Sequence, residues 1–175
     1  VNALSASVLI AFSLAFLLLI VSGFMSASEV AFFSLSPGDL NEIQEENRSV
    51  DTTIRKLLER SEYLLAAILI GNNFVNVAVV MLCTYGIHAW IDFTQAPLFG
   101  FILESVFLTF LLLLCGEIMP KIYAQKNALR FVRTAAPTLK ALEYFCHPLS
   151  RILVNSTSLI HKTLVKKKTD ISVDE

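Results

Sequence analysis

Three stretches of the chain are almost free of charge. Leu4 to Leu35 is apolar apart from small hydroxyls and Glu29, and Tyr63 to Trp90 and Leu98 to Ile122 follow it. A hydrocarbon core about 30 Å thick takes about 20 residues of helix, so the runs predict three membrane-spanning α-helices over about 4–35, 63–90 and 98–122. No basic region precedes the first run and no convincing small-residue cleavage site follows it, so it reads as a mature span and not a signal peptide. Between the first two spans, Pro37 is followed by Leu40, Ile43, Ile54, Leu57 and Leu58 at helical spacing among acids and bases, which predicts an amphipathic helical hairpin over 38–61. Over 127–165, Leu129, Phe131, Val132, Leu139, Leu142, Phe145, Ile152 and Leu153 alternate with basic residues. That pattern predicts juxtamembrane helices lying at the membrane surface, divided at Pro137 and Pro148.

Composition strengthens this all-α membrane reading. Of the 175 residues, 55% are hydrophobic and 17% charged, more apolar surface than one small water-soluble core hides. A net charge of −1 gives no support to nucleic-acid binding. The distribution of charge is more informative than its sum. Residues 1–35 and the 91–97 loop carry no Lys or Arg; four of the fourteen lie in 36–62 and ten at or beyond Lys121. All therefore fall on one side of three crossings, which by the positive-inside rule places the N-terminus outside and the C-terminus in the cytoplasm. The Lys166–Lys168 run is read either as a contact for anionic lipid headgroups or as part of a solvated tail.

Polar groups inside a span are costly, so they normally face a protein interior or a water-filled cavity. Each span has such a cluster. In the first, Ser22, Ser26 and Glu29 share a face, beside Gly23 and Ala27. Small residues and hydroxyls are also the usual surface for close helix packing in lipid. In the second, Asn72 and Asn76 share a face while Asn73 lies about 100° away; these amides either bond across a helix pair or offer hard oxygen ligands to Mg²⁺, Ca²⁺ or Na⁺. In the third, Pro120 has no N–H to donate four residues back, which predicts a freed carbonyl at Gly116 beside the Glu117 carboxylate. Glu117 is also spaced to pair with Lys121 one turn on.

Depth joins the three clusters. At about 1.5 Å per residue from the cytoplasmic end, Ser26 lies about 13 Å in, Asn72 to Asn76 about 13 to 20 Å, and Glu117 about 8 to 10 Å. They occupy one level. Hydroxyl, amide and carbonyl oxygens with a carboxylate make a hard-cation site, and six close oxygens around a small ion favour Mg²⁺. Cys83, Cys115 and Cys146 form no CxxC pair, and His88, His147 and His161 lack ligand spacing, so neither a disulfide framework nor a zinc site is expected.

S-G-x-x-S at 22–26, G-N-x-x-V-N at 71–76 and G-E-I-x-P at 116–120, in order on three predicted spans, resemble the transmembrane domain of the CorC/cyclin-M (CNNM) magnesium transporters. The resemblance covers about residues 4–165. It implies a homodimer that exports Mg²⁺ in exchange for Na⁺ by alternating access across the inner (plasma) membrane. The implied ligands of a dehydrated Mg²⁺ are Ser26 with Ser22 nearby, Asn72, Asn76, the Gly116 carbonyl and Glu117. Members continue into a cytoplasmic CBS-domain pair, so residues 166–175 are expected to act as a polar linker toward such a module beyond Glu175. Glu29, one turn below Ser26, is a candidate for Na⁺ binding or a cytoplasmic gate. The alternative function is a membrane anchor or assembly module that moves no ion. An enzyme is not expected, because the spans contain no Ser/His/Asp set, H-E-x-x-H or paired catalytic aspartates.

Overall fold

The computed structural model describes residues 5–46, 48–91 and 96–171, with 157–171 as backbone only. Among them there is helix and no strand. Helix α1 spans Ala6–Phe33, α2 Pro37–Glu46, α3 Ser49–Glu59, α4 Ser61–Trp90 and α5 Pro97–Leu111. A π-helical segment, Leu112–Ile118, leads into α6, Met119–Lys126, and α7 runs over Ala128–Ile171. Helices α1 and α4, and the continuous α5–π–α6 rod over Pro97–Lys126, are each long and apolar enough to cross a membrane. The protein is therefore a multi-pass membrane protein. Leu4, where the first span was expected to begin, the interior of the 91–97 loop and the tail beyond Ile171 lie outside the described residues.

Two apolar clusters bracket the membrane domain. The larger joins Met25, Ala31 and Phe32 of α1 to Ile43 of α2, Ile54 and Leu57 of α3, Leu64 and Ile68 of α4, Ala124 of α6, and Val132, Ala135, Ala136 and Leu139 of α7. The smaller joins Ala15, Val79, Cys83 and Leu108. On all three spans the polar residues fall between the two: Ser22 between Ala15 and Met25, Asn72 and Asn76 between Ile68 and Val79, Gly116 between Leu108 and Ala124. The rest of the apolar surface, including Phe16, Phe74, Met81 and Phe107, is exposed, as hydrocarbon contact requires.

The hairpin forms where the pattern placed it. Pro37 opens α2, with Ser36 N–H donating to Asp39 Oδ2 at 2.8 Å and Asp39 N–H to Ser36 Oγ at 3.2 Å. Helix α3 buries Ile54 and Leu57 and also Asp51, whose carboxylate accepts from Arg133 Nε of α7 at 3.1 Å and from the Arg48 N–H at 3.1 Å. The same guanidinium donates to Glu42 at 3.0 Å and Glu46 at 2.8 Å on α2. One arginine thus ties α7 to both hairpin helices.

Helix α7 departs from expectation: it continues through Pro137 and Pro148 and on through residue 166 to Ile171. A proline inside a helix removes one hydrogen bond and crowds the preceding turn. Around Pro137 that cost is offset by packing, since Ala135, Ala136 and Leu139 are fully buried against the hairpin and spans. Beyond Pro148, Leu149, Ile152 and Leu153 face outward with Tyr144 and Phe145 just before it, an exposed apolar stripe on a helix that also carries Lys140 and Arg151.

Candidate metal centre

Ser22 lies at the centre of the polar layer and is fully buried. Its Oγ donates to Asn72 Oδ1 at 3.0 Å and Asn76 Oδ1 at 2.5 Å. The four-residue spacing of the amides puts both on the face of α4 that meets α1. A hydroxyl has one proton, so three oxygens converge where a single hydrogen is available. Such a cluster is short of a donor. Asn73 points away and is exposed.

The third span reaches this point through its backbone. A Cβ at Gly116 would stand 3.1 Å from Ser22 Oγ, and one at Gly23 would stand 3.0 Å from Pro120 Cγ and 3.5 Å from the Cys115 carbonyl oxygen. Glycine at both positions lets α1 and the third span touch. The simple proline kink expected from the sequence is a wider device. Residues 112–118 follow a five-residue hydrogen-bond register, visible where Met119 N–H donates to the Leu114 carbonyl. In that register the carbonyl facing the missing Pro120 donor is that of Cys115, adjacent to Gly116. The freed backbone oxygen therefore belongs to the Cys115–Gly116 stretch.

Two further groups have no partner. Ser26 is 1% exposed and its Oγ makes no hydrogen bond. Ser28, by contrast, satisfies its hydroxyl on the Phe24 carbonyl at 2.7 Å. An orphaned buried hydroxyl costs about 1–3 kcal/mol, a cost that Ser150 Oγ of α7 also bears. Glu117, half-buried beside Gly116, makes no hydrogen bond or ion pair among the described residues. Lys121, spaced to reach it, pairs with Glu29 of α1 at 3.3 Å instead. Glu29 is thus bound in an ion pair below the oxygen cluster.

Of the six residues singled out from the sequence, direct bonds join Ser22, Asn72 and Asn76, and close backbone approach adds Gly116. Ser26, one turn along the same face of α1, and Glu117, next in chain to Gly116, are adjacent without touching them by hydrogen bond. No group of three or more His, Cys, Asp or Glu that could hold a metal occurs among the described residues. A cation here would be held mainly by neutral oxygens. Within the spans sequence reasoning missed one buried acid: Glu104 in α5, bonded to His88 of α4 at 2.9 Å. The signal was present, a carboxylate inside an apolar run, which is the rule that drew attention to Glu117.

Three membrane-crossing helices, with hydroxyl and amide side chains of two spans bonded at a single level, define a multi-pass α-helical membrane domain. The family model for the cyclin M transmembrane N-terminal domain matches residues 13–175, and the chain belongs to that CNNM family. Similar proteins include a UPF0053 protein of Haemophilus influenzae, 30% identical over 75% of this chain and 30% of its own length. The UPF0053 inner membrane protein YfjD of Escherichia coli is 27% identical over 87% of this chain and 34% of its own. The metal transporter cnnm-4 of Caenorhabditis elegans is 32% identical over 62% and 23%. The chain thus spans about a third or less of the length of these relatives.

Proposed function

We propose that this chain is the membrane domain of a metal transporter whose cargo is Mg²⁺, bound without its water shell between the three spans. The observation that carries the reading is the convergence of Ser22 Oγ, Asn72 Oδ1 and Asn76 Oδ1 around one proton. The orphaned Ser26 hydroxyl and the unpaired Glu117, next in chain to Gly116, support it. Oxygens alone, one of them charged, suit a hard cation. Stripping water from Mg²⁺ is costly, and a carboxylate in a low-dielectric site offsets part of that cost. The nematode relative is named a metal transporter, which supports metal transport here.

In the same proposal the basic side of the molecule faces the cytoplasm. Transport is Mg²⁺ export coupled to Na⁺ entry in a homodimer in the plasma membrane, and the Glu29–Lys121 pair closes the cytoplasmic end. The full-length protein adds a cytoplasmic CBS pair. The competing reading is an anchor in which Ser22, Asn72 and Asn76 lock α1 to α4 and nothing moves, and the same hydrogen bonds favour it. Proteoliposomes loaded with a Mg²⁺-sensitive dye separate the two. Transport predicts a dye response that depends on protein and on a Na⁺ gradient; a scaffold gives none under either condition.

A further inference from the structure

Glu104 lies seven residues into α5, and its side chain is 6% exposed. At about 1.5 Å per residue, that places the carboxylate about 10 Å inside the end of the third span. A bare carboxylate there is costly. Its partner is His88 Nε2 on α4 at 2.9 Å, on a side chain that is 62% exposed. Helix α1 supplies no charged partner at this end, having no titratable residue before Glu29. Cys83, on the same helix as His88, is buried within reach of the Glu104 charge.

The position of this pair matters. Twelve residues separate Asn76 from His88, and twelve separate Glu104 from Gly116. On both helices the pair therefore sits about 18 Å from the oxygen cluster, on the side away from Lys121. The third span is pinned at both ends, to α1 by Lys121–Glu29 and to α4 by Glu104–His88. Between the far pair and the cluster runs an apolar groove of about 520 Å³, reaching from Phe12 and Cys83 to Gly23, Cys115 and Pro120. Packing alone holds α5 weakly, because the third span is the least buried of the three and lipid competes for its apolar contacts.

We propose that His88 and Glu104 form a latch that holds the far ends of α4 and α5 together and must release for an ion to pass between the cluster and that face of the membrane. The two are positioning residues: neither touches the ion. Release lets α5 swing from α4 and brings water into the groove toward the Cys115–Gly116 carbonyls. The role in the cycle rests on the transport reading above; the latch itself does not.

Cys83 reports the opening, since a charged maleimide needs a water path to its buried thiol. The chain is reconstituted in nanodiscs and labelling of Cys83 is followed by peptide mass spectrometry in the unmodified protein, His88→Ala, Glu104→Gln and the exchange His88→Glu/Glu104→His. Loss of the His88–Glu104 hydrogen bond is expected to speed labelling about tenfold in the His88→Ala variant, less in Glu104→Gln, which keeps an acceptor. The exchange variant is expected to return toward the original rate. Unchanged labelling in His88→Ala overturns the latch, and so does an exchange variant that labels as fast as the single ones, because that marks general loosening. Mg²⁺ flux is measured on the same set in liposomes. Flux in the unmodified protein with faster labelling but unaltered flux in His88→Ala removes the latch from the transport cycle. Absence of flux in the unmodified protein overturns the transport reading and leaves the labelling result to judge the latch.

Discussion

Lys121 turns away from Glu117, one turn back on its own rod, and binds Glu29 of α1 at 3.3 Å. Glu117 is thereby left without a counter-charge in the layer where Ser22, Asn72 and Asn76 crowd their oxygens. A helix that satisfied its own charges at i, i+4 would have no reason to attract a cation at that level.

If Glu117 supplies the charge for a bound ion, Glu117→Gln keeps the shape and removes the attraction. Thermal unfolding with and without Mg²⁺ is expected to show a clear upward shift for the unmodified protein, following the linkage between ligand concentration and stability, and none for the variant. The midpoint without Mg²⁺ should be unchanged or slightly higher, because a half-buried unpaired carboxylate has been neutralised.

Gly116 and Gly23 are tight contacts between α1 and the third span. Alanine at Gly23 meets the rigid Pro120 ring at 3.0 Å, and alanine at Gly116 meets Ser22 Oγ at 3.1 Å. Each is expected to destabilise by about 1–3 kcal/mol, the usual cost of overpacking. Only Gly116→Ala presses directly on a proposed ligand, so the Mg²⁺-dependent shift should fall further there at matched stability.

Arg133 and Asp51 test the cytoplasmic clasp. Burial alone would lower the Arg133 pKa, but its hydrogen bonds to Asp51 and Glu42 and the charges of Asp51 and Glu46 outweigh it and raise it, so the cation persists at any working pH. Arg133→Ala leaves Asp51 buried with only the Arg48 N–H. Breaking a buried pair costs about 3–5 kcal/mol; with Arg133 partly exposed and that N–H retained, about 2–3 is expected here. Asp51→Leu combined with Arg133→Met should recover much of the loss, measured by denaturant or thermal unfolding.

The Glu29–Lys121 pair is more than a third exposed on both sides, and such pairs contribute about 0–1 kcal/mol. Lys121→Ala should barely move the unfolding midpoint. If the pair closes the cytoplasmic end, the same substitution changes Mg²⁺ flux well beyond its effect on stability, which a dye assay at matched protein density reads directly.

The spans and the α2–α3 hairpin were legible because their signals are local: unbroken apolar length, and leucine and isoleucine at helical spacing after Pro37. Residue depth counted along separate helices put Ser26, Asn72 to Asn76 and Glu117 at one level, but that Ser22 is the hydroxyl bonded to both amides depends on which face of α1 meets α4. What escaped depended on partners. Whether Lys121 binds Glu117 or Glu29 is decided by which helix stands opposite, and spacing along one chain is silent on that. Pro137 and Pro148 look like boundaries until burial around the first is known. Glu104 was overlooked although its apolar surroundings mark it, since the His88 that holds it belongs to another helix.

The π turn at Leu112–Ile118 also changes how the third span must be aligned with its kin. It holds one residue more than the α-helical path needs, so everything beyond it is rotated by about 100° relative to an uninterrupted helix. Wheel diagrams drawn across the whole rod therefore misassign faces on one side of the turn. A one-residue deletion in this stretch, harmless in appearance, would swing Glu117 or Glu104 out of register with its neighbours.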